Sequence, residues 1–97
     1  MWILEGTSDD AKAVTFRLTA GAVKTLGRAR RADFILDAAL VSRLHCRFEA
    51  ADDHLELVDL KSTNGTFVND MRVSSRTRLS TGDRVRVGRV ELTVAMT

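Results

Sequence analysis

A single cysteine, Cys46, stands among the 97 residues. It can close no internal disulfide and seed no cysteine-based metal cluster, which fits a reducing compartment. No apolar run approaches the ~18 residues of a membrane span. The opening MWILEGTSDD has no basic segment ahead of a long apolar one, so no secretory signal is legible and an intracellular protein is expected. Aromatics are only 5% of the chain and are not interleaved with the cations, the arrangement that single-strand nucleic-acid binders use for stacking. Charge of one sign is not in large excess either: the net is +2, too small for general attraction to nucleic acid even with a pI near 9.2. A nucleic-acid partner is therefore disfavoured, and no membrane or cofactor is expected.

What is present is the composition of a globular protein, 44% hydrophobic and 29% charged, in a length that suits one domain. Twelve of the fifteen cations are arginine. Its planar fork of donors matches carboxylate and phosphate oxygens in pairs, so the bias leans toward anion recognition, although a solvated basic surface would look the same in composition.

Short alternating or β-branched segments recur: Trp2-Leu4, Val14-Thr19, Val23-Leu26, Phe34-Leu36, Cys46-Glu49, Leu55-Leu60, Thr66-Val68, Arg72-Val73, Arg84-Val87 and Glu91-Ala95. Turn signals separate them, including Ser8-Asp9-Asp10, Asp52-Asp53, Asn64-Gly65, Thr81-Gly82-Asp83 and Gly88. This rhythm predicts an all-β sandwich or barrel. Only Ala38 to Leu44 could hold a helical turn, and no long stretch has the 3.6-residue period. Asn64-Gly65 predicts a two-residue type I′ hairpin turn leading into Thr66-Phe67-Val68. Yet Ser62, Thr63 and Asn64 load this turn with small polar groups that turning does not require, which points to a ligand. The other loops rich in donors are Gly27-Arg31 and Ala39-His45.

Gly27-Arg28, Ser42-Arg43-x-His45, then Ser62-Thr63-Asn64-Gly65-Thr66 and Asn69 together resemble the forkhead-associated (FHA) family of phosphothreonine-binding modules. Asp33, Ile35, Asp59-Leu60, Leu79, Gly82-Asp83, Val85, Gly88 and Leu92 extend the likeness over roughly Val23 to Val94. The resemblance implies an all-β, FHA-type sandwich of two twisted, mainly antiparallel sheets, about eleven strands, with binding loops at one end. It also implies a non-enzymatic role: binding a phosphothreonine-containing protein segment in signalling.

Carried over by residue, Arg28 matches the family's phosphate-clamping arginine and Ser42 its phosphate-bonding hydroxyl, while Arg43 and Thr63 add contacts and Asn64 bonds the peptide backbone. Gly27, His45, Gly65 and Asn69 are expected to support the site, the glycines through positive φ or close backbone approach. A phosphate carries about two negative charges and three acceptor oxygens, so a guanidinium plus neutral donors from separate loops suits it. Other roles remain open at single positions: Ser42 could cap a helix, and Arg43 could simply be solvated.

Ser42, His45 and Asp59, with Cys46 beside them, contain the ingredients of a nucleophilic triad, but no Gly-x-Ser-x-Gly elbow accompanies them. The resemblance makes His45 a structural brace, so no catalytic and no metal residue is expected. The amino-terminal position of the motifs after Met1-Trp2, with Phe16-Arg17-Leu18-Thr19 and Gly21, is similar to the amino-terminal FHA modules of nibrin-like DNA-repair adaptors. That likeness implies residues 1–97 as one module of a longer nuclear protein in the DNA-damage response, with an acidic partner. Two other functions fit the same fold: phosphate-independent dimerisation by an FHA-like domain, and nucleic-acid binding by a β-domain.

Overall fold

Apolar side chains alternate with polar ones along most segments because successive strand residues point to opposite faces. In the structure, a computed structural model that describes Met1–Thr97, this alternation becomes eleven strands and no helix. They are β1 (Trp2–Thr7), β2 (Ala13–Leu18), β3 (Val23–Gly27), β4 (Phe34–Ile35), β5 (Cys46–Ala50), β6 (Leu55–Asp59), β7 (Thr66–Val68), β8 (Met71–Arg72), β9 (Thr77–Leu79), β10 (Arg84–Val87) and β11 (Val90–Met96). A six-stranded sheet, ordered β2-β1-β11-β10-β7-β8, faces a five-stranded one, ordered β4-β3-β5-β6-β9. Every strand pairing is antiparallel except β3 with β4.

The core lies between the sheets. Trp2, Leu4, Val85, Val87, Val90, Leu92 and Val94 come from the larger sheet, and Leu26, Phe34, Cys46, Phe48, Leu55, Leu57 and Leu79 from the smaller. Phe16 on edge strand β2 stacks on Phe34 of edge strand β4, with ring centroids 4.7 Å apart, and so clasps the two sheets at one side. Trp2 is core packing, its indole N–H donating to the Ala51 carbonyl at 2.9 Å. Burial pushes the Cys46 thiol well up from its ordinary range, so it packs as an inert apolar side chain.

The structure corrects two sequence expectations and adds one strand that the sequence reading did not contain. Ala38 to Leu44 holds no helix; the chain makes a turn at Ala39-Leu40, with Leu40 at φ +69. Strand β9, Thr77–Leu79, was not legible, because Thr-Arg-Leu is short and lies between polar residues.

The second correction concerns Asn64-Gly65, which is not a hairpin turn. Strand β6 ends in one sheet and β7 begins in the other, so the segment between them crosses from sheet to sheet, and only Gly65 of the pair has positive φ, +86. The two-residue hairpin turn with positive φ at both positions, the type I′ signature, is Asn69-Asp70, at +49 and +71 between paired Val68 and Met71.

The topology places the β3–β4, β4–β5, β6–β7 and β10–β11 connections at one end of the sandwich. Thr66 pairs with Val87 at that end, while Val68 pairs with Val85 toward the other.

Candidate functional site

Arg28 follows β3 directly, and its loop is stitched to the β4–β5 loop by backbone bonds: Arg28 N–H to the Ser42 carbonyl at 3.0 Å and Ala29 N–H to the Arg43 carbonyl at 3.1 Å. Gly27 makes this contact possible. A Cβ there would lie 2.0 Å from the Arg43 carbonyl oxygen, so Gly27 serves close approach, not positive φ. Asp33 steadies the far end of the β3–β4 loop, accepting from the Thr25 N–H and hydroxyl at 2.9 and 3.1 Å. Those bonds, the backbone one first, hold its carboxyl below the usual range.

Ser42 joins the second and third loops, its Oγ accepting from the Thr63 N–H at 3.0 Å. The hydroxyl proton is thereby left to donate outward. Asn64 reaches back the other way, its Nδ2 donating to the Leu40 carbonyl at 3.1 Å while Oδ1 has no protein partner.

Arg28 is exposed, and its Nε donates to the Val41 carbonyl at 3.1 Å. One N–H of the guanidinium thus aims the group, and the terminal amino groups remain for a ligand. Arg43 and Thr63 are exposed on the same loops.

His45 lies beneath and is fully buried. Its Nδ1 accepts from the Ser42 N–H at 3.0 Å, which leaves Nε2 to donate to the Gly65 carbonyl at 2.8 Å. The ring therefore spans the β4–β5 and β6–β7 loops. Asp59 braces the base of the third loop. It accepts from the Ser62 hydroxyl at 2.6 Å, the Thr66 hydroxyl at 2.7 Å and the Ser62 N–H at 3.1 Å. Burial alone would raise its carboxyl, but these donors, the Ser62 hydroxyl first, outweigh it and hold the group below the ordinary range. No buried side-chain nitrogen or oxygen lacks a partner, so the frame beneath the loops is satisfied.

This geometry does not assemble a nucleophilic triad. His45 meets the Ser42 backbone, not its hydroxyl, and Asp59 is bonded to Ser62 and Thr66, not to the imidazole. Asn69 stands apart from the loops at the other end of β7. It holds the β7–β8 turn to the β9–β10 turn through Asp83 at 3.1 Å and the Arg84 N–H at 3.0 Å.

The residues brought together are thus Arg28, Ser42, Arg43, Thr63 and Asn64, supported by Gly27, His45 and Gly65. Sequence reading gave no place to Leu40 and Val41, whose carbonyls aim Asn64 and Arg28. No side-chain chemistry marks a carbonyl in a sequence.

Two sheets with a donor-rich loop cluster at one end define a β-sandwich module whose unpartnered donors suit an anion. The chain belongs to the FHA domain family, whose family model matches residues 24–88. It is similar to the oxoglutarate dehydrogenase inhibitor of Corynebacterium diphtheriae, 43% identical over 68 residues that cover 70% of this chain and 47% of that protein. Glycogen accumulation regulator GarA of Mycobacterium tuberculosis is 38% identical over 71 residues, covering 73% of this chain and 43% of its own length. The chain spans about half the length of these relatives or less. Among solved structures, an FHA domain studied for phosphothreonine-dependent interactions superposes with a TM-score of 0.84 at 35% identity, over 98% of this chain and 97% of that one. These relatives are bacterial, so the nibrin-like likeness and its nuclear setting gain no support from them.

Proposed function

We propose that residues 1–97 act as one phosphothreonine-dependent peptide-binding module, without catalysis, within a larger signalling regulator. One observation carries this reading. Three loops are locked to one another by bonds that leave the Arg28 terminal amino groups and the Ser42 hydroxyl proton without protein partners, beside the unpartnered Asn64 Oδ1. Such pre-aimed donors suit a phosphate, and the amide oxygen suits a peptide N–H.

The partner segment is acidic. Arg30, Arg31, Arg43 and Arg89 on the same end form no ion pair and so stay free for its carboxylates. The regulatory names of the bacterial relatives favour a signalling role over DNA repair.

Phosphothreonine and phosphoserine present the same oxygens to Arg28 and Ser42, so discrimination rests on the γ-methyl and on restricted χ1. The test is calorimetric titration at one fixed salt concentration with peptide pools bearing a central phosphothreonine, phosphoserine or threonine. Phosphoserine is expected to bind at least about tenfold more weakly, and threonine not at all. Arg28→Ala is expected to lose about 2–5 kcal/mol of binding with little change in stability. Equal affinity for all three pools, or full affinity of Arg28→Ala, overturns the reading.

A further inference from the structure

The β6–β7 loop has a second flank. Opposite Ser42 it borders a cleft of about 540 Å³, between the end of β6 and the β8–β9 connection, with Asp59, Lys61, Arg72, Ser74, Ser75 and Arg76 on its walls. None of the phosphothreonine-site residues lines it. Its charges are unequal in their commitments. Arg76 is held by Glu49 and Glu56 at 2.6 and 2.9 Å, and the Asp59 carboxylate is occupied by Ser62 and Thr66. Lys61 and Arg72 form no ion pair and no side-chain hydrogen bond, and the Ser74 and Ser75 hydroxyls also make no bond within the protein.

Two further features tie the cleft to the loop. The Arg72 guanidinium lies against the backbone at Gly65, where a Cβ would sit 2.8 Å from its Nε, and so next to Asn64. Lys61 holds φ +57, a conformation in which glycine or asparagine costs less. A strained backbone that nevertheless carries a cation is the kind of outlier that clusters at ligand clamps.

We propose that Lys61 and Arg72 form a second anion site, which takes a second anionic side chain of the peptide whose phosphothreonine occupies the Arg28–Ser42 site. The inference rests on the function proposed above. A phosphoryl group fits better than a carboxylate, since its three oxygens can use the two cations and the serine hydroxyls together.

The test uses degenerate peptide pools with a fixed central phosphothreonine, each carrying one further phosphoserine or one glutamate at a defined position on either side. At one salt concentration, at least one register with the second phosphate is expected to bind about fivefold to tenfold more tightly than the singly phosphorylated pool, and glutamate there less so. In Lys61→Gln/Arg72→Gln that gain disappears, while the melting temperature stays within about 3 °C of the parent and the affinity for the singly phosphorylated pool within about twofold.

No gain in any register overturns the second site and leaves the first intact. A gain that survives in the double variant overturns it too, and assigns the acidic preference to Arg30, Arg31 and Arg43. Loss of singly phosphorylated binding in the double variant shows that the two cations belong to the first site. Failure of the parent to bind the singly phosphorylated pool refutes the proposed function, and the second site falls with it.

Discussion

Replacing His45 with alanine is expected to loosen two loops at once. The imidazole is fully buried and serves two partners, the Ser42 N–H at 3.0 Å and the Gly65 carbonyl at 2.8 Å. Alanine reaches neither, and leaves the buried Gly65 carbonyl and the part-buried Ser42 N–H without their partner. Each buried group left unpaired costs about 1–3 kcal/mol, so the pair costs about 2–6 kcal/mol before any cavity contribution.

Against a typical domain stability of about 5–15 kcal/mol this is a large fraction. At ~4–8 °C per kcal/mol for a domain of this size, the melting temperature should fall by at least ~8 °C. Graded variants separate the two bonds. His45→Asn keeps an acceptor near the Nδ1 position but falls short of Gly65, so it should lose about half as much.

The assay is thermal unfolding followed by circular dichroism, paired with phosphopeptide titration of whatever remains folded. Stability and affinity should fall together, because Ser42 and the Gly65 backbone define the site. A melting point within about 3 °C of the parent, or an ester-hydrolysing activity that vanishes in the variant, refutes the bracing role.

Gly27→Ala is expected to cost at least about 1–3 kcal/mol and to weaken peptide binding, because its Cβ would stand 2.0 Å from the Arg43 carbonyl oxygen and force the first two loops apart; chemical denaturation measures it, and parental stability refutes the close-packing argument. Asp70→Gly should change stability by less than about 1 kcal/mol, because relief of a left-handed φ is offset by glycine's greater unfolded-state freedom and by loss of the exposed Asp70–Arg84 contact; because the turn lies at the far end of β7 the peptide affinity measured by titration should not change. The pH dependence follows from Asp59, whose folded carboxyl is held below its ordinary range. Its contribution is fully present above the unfolded value of about 3.9 and is lost as pH falls through the lower folded value. The melting-point difference between the parent and Asp59→Asn should thus stay constant from pH 7 to 5 and shrink only below about pH 4; shrinkage between pH 7 and 5 refutes the assignment.

Sequence by itself determined the all-β class, ten of the eleven strands to within a residue or two at most ends, and the three donor-bearing loops, because period-two patterning and side-chain type are local properties. Its limits show at particular residues. Asn64-Gly65 reads as a type I′ turn from dihedral preference alone, yet β6 and β7 belong to different sheets, and the local signal carries no information about which sheet a strand joins. The turn of that kind is Asn69-Asp70, where the register of β7 with β8 imposes positive φ on an aspartate. Strand β9 exists because Thr77–Leu79 pairs with Leu55–Leu57, a contact made after the chain has passed through β7 and β8 of the other sheet, which three residues of composition cannot announce. The motif named Arg28, Ser42 and Asn64, but only the folded chain shows what aims them: the carbonyls of Val41 and Leu40, the Thr63 N–H and the buried ring of His45. Those partners are largely backbone groups, chemically the same at every position, so their selection belongs to the packing of the two sheets that brings the loops together.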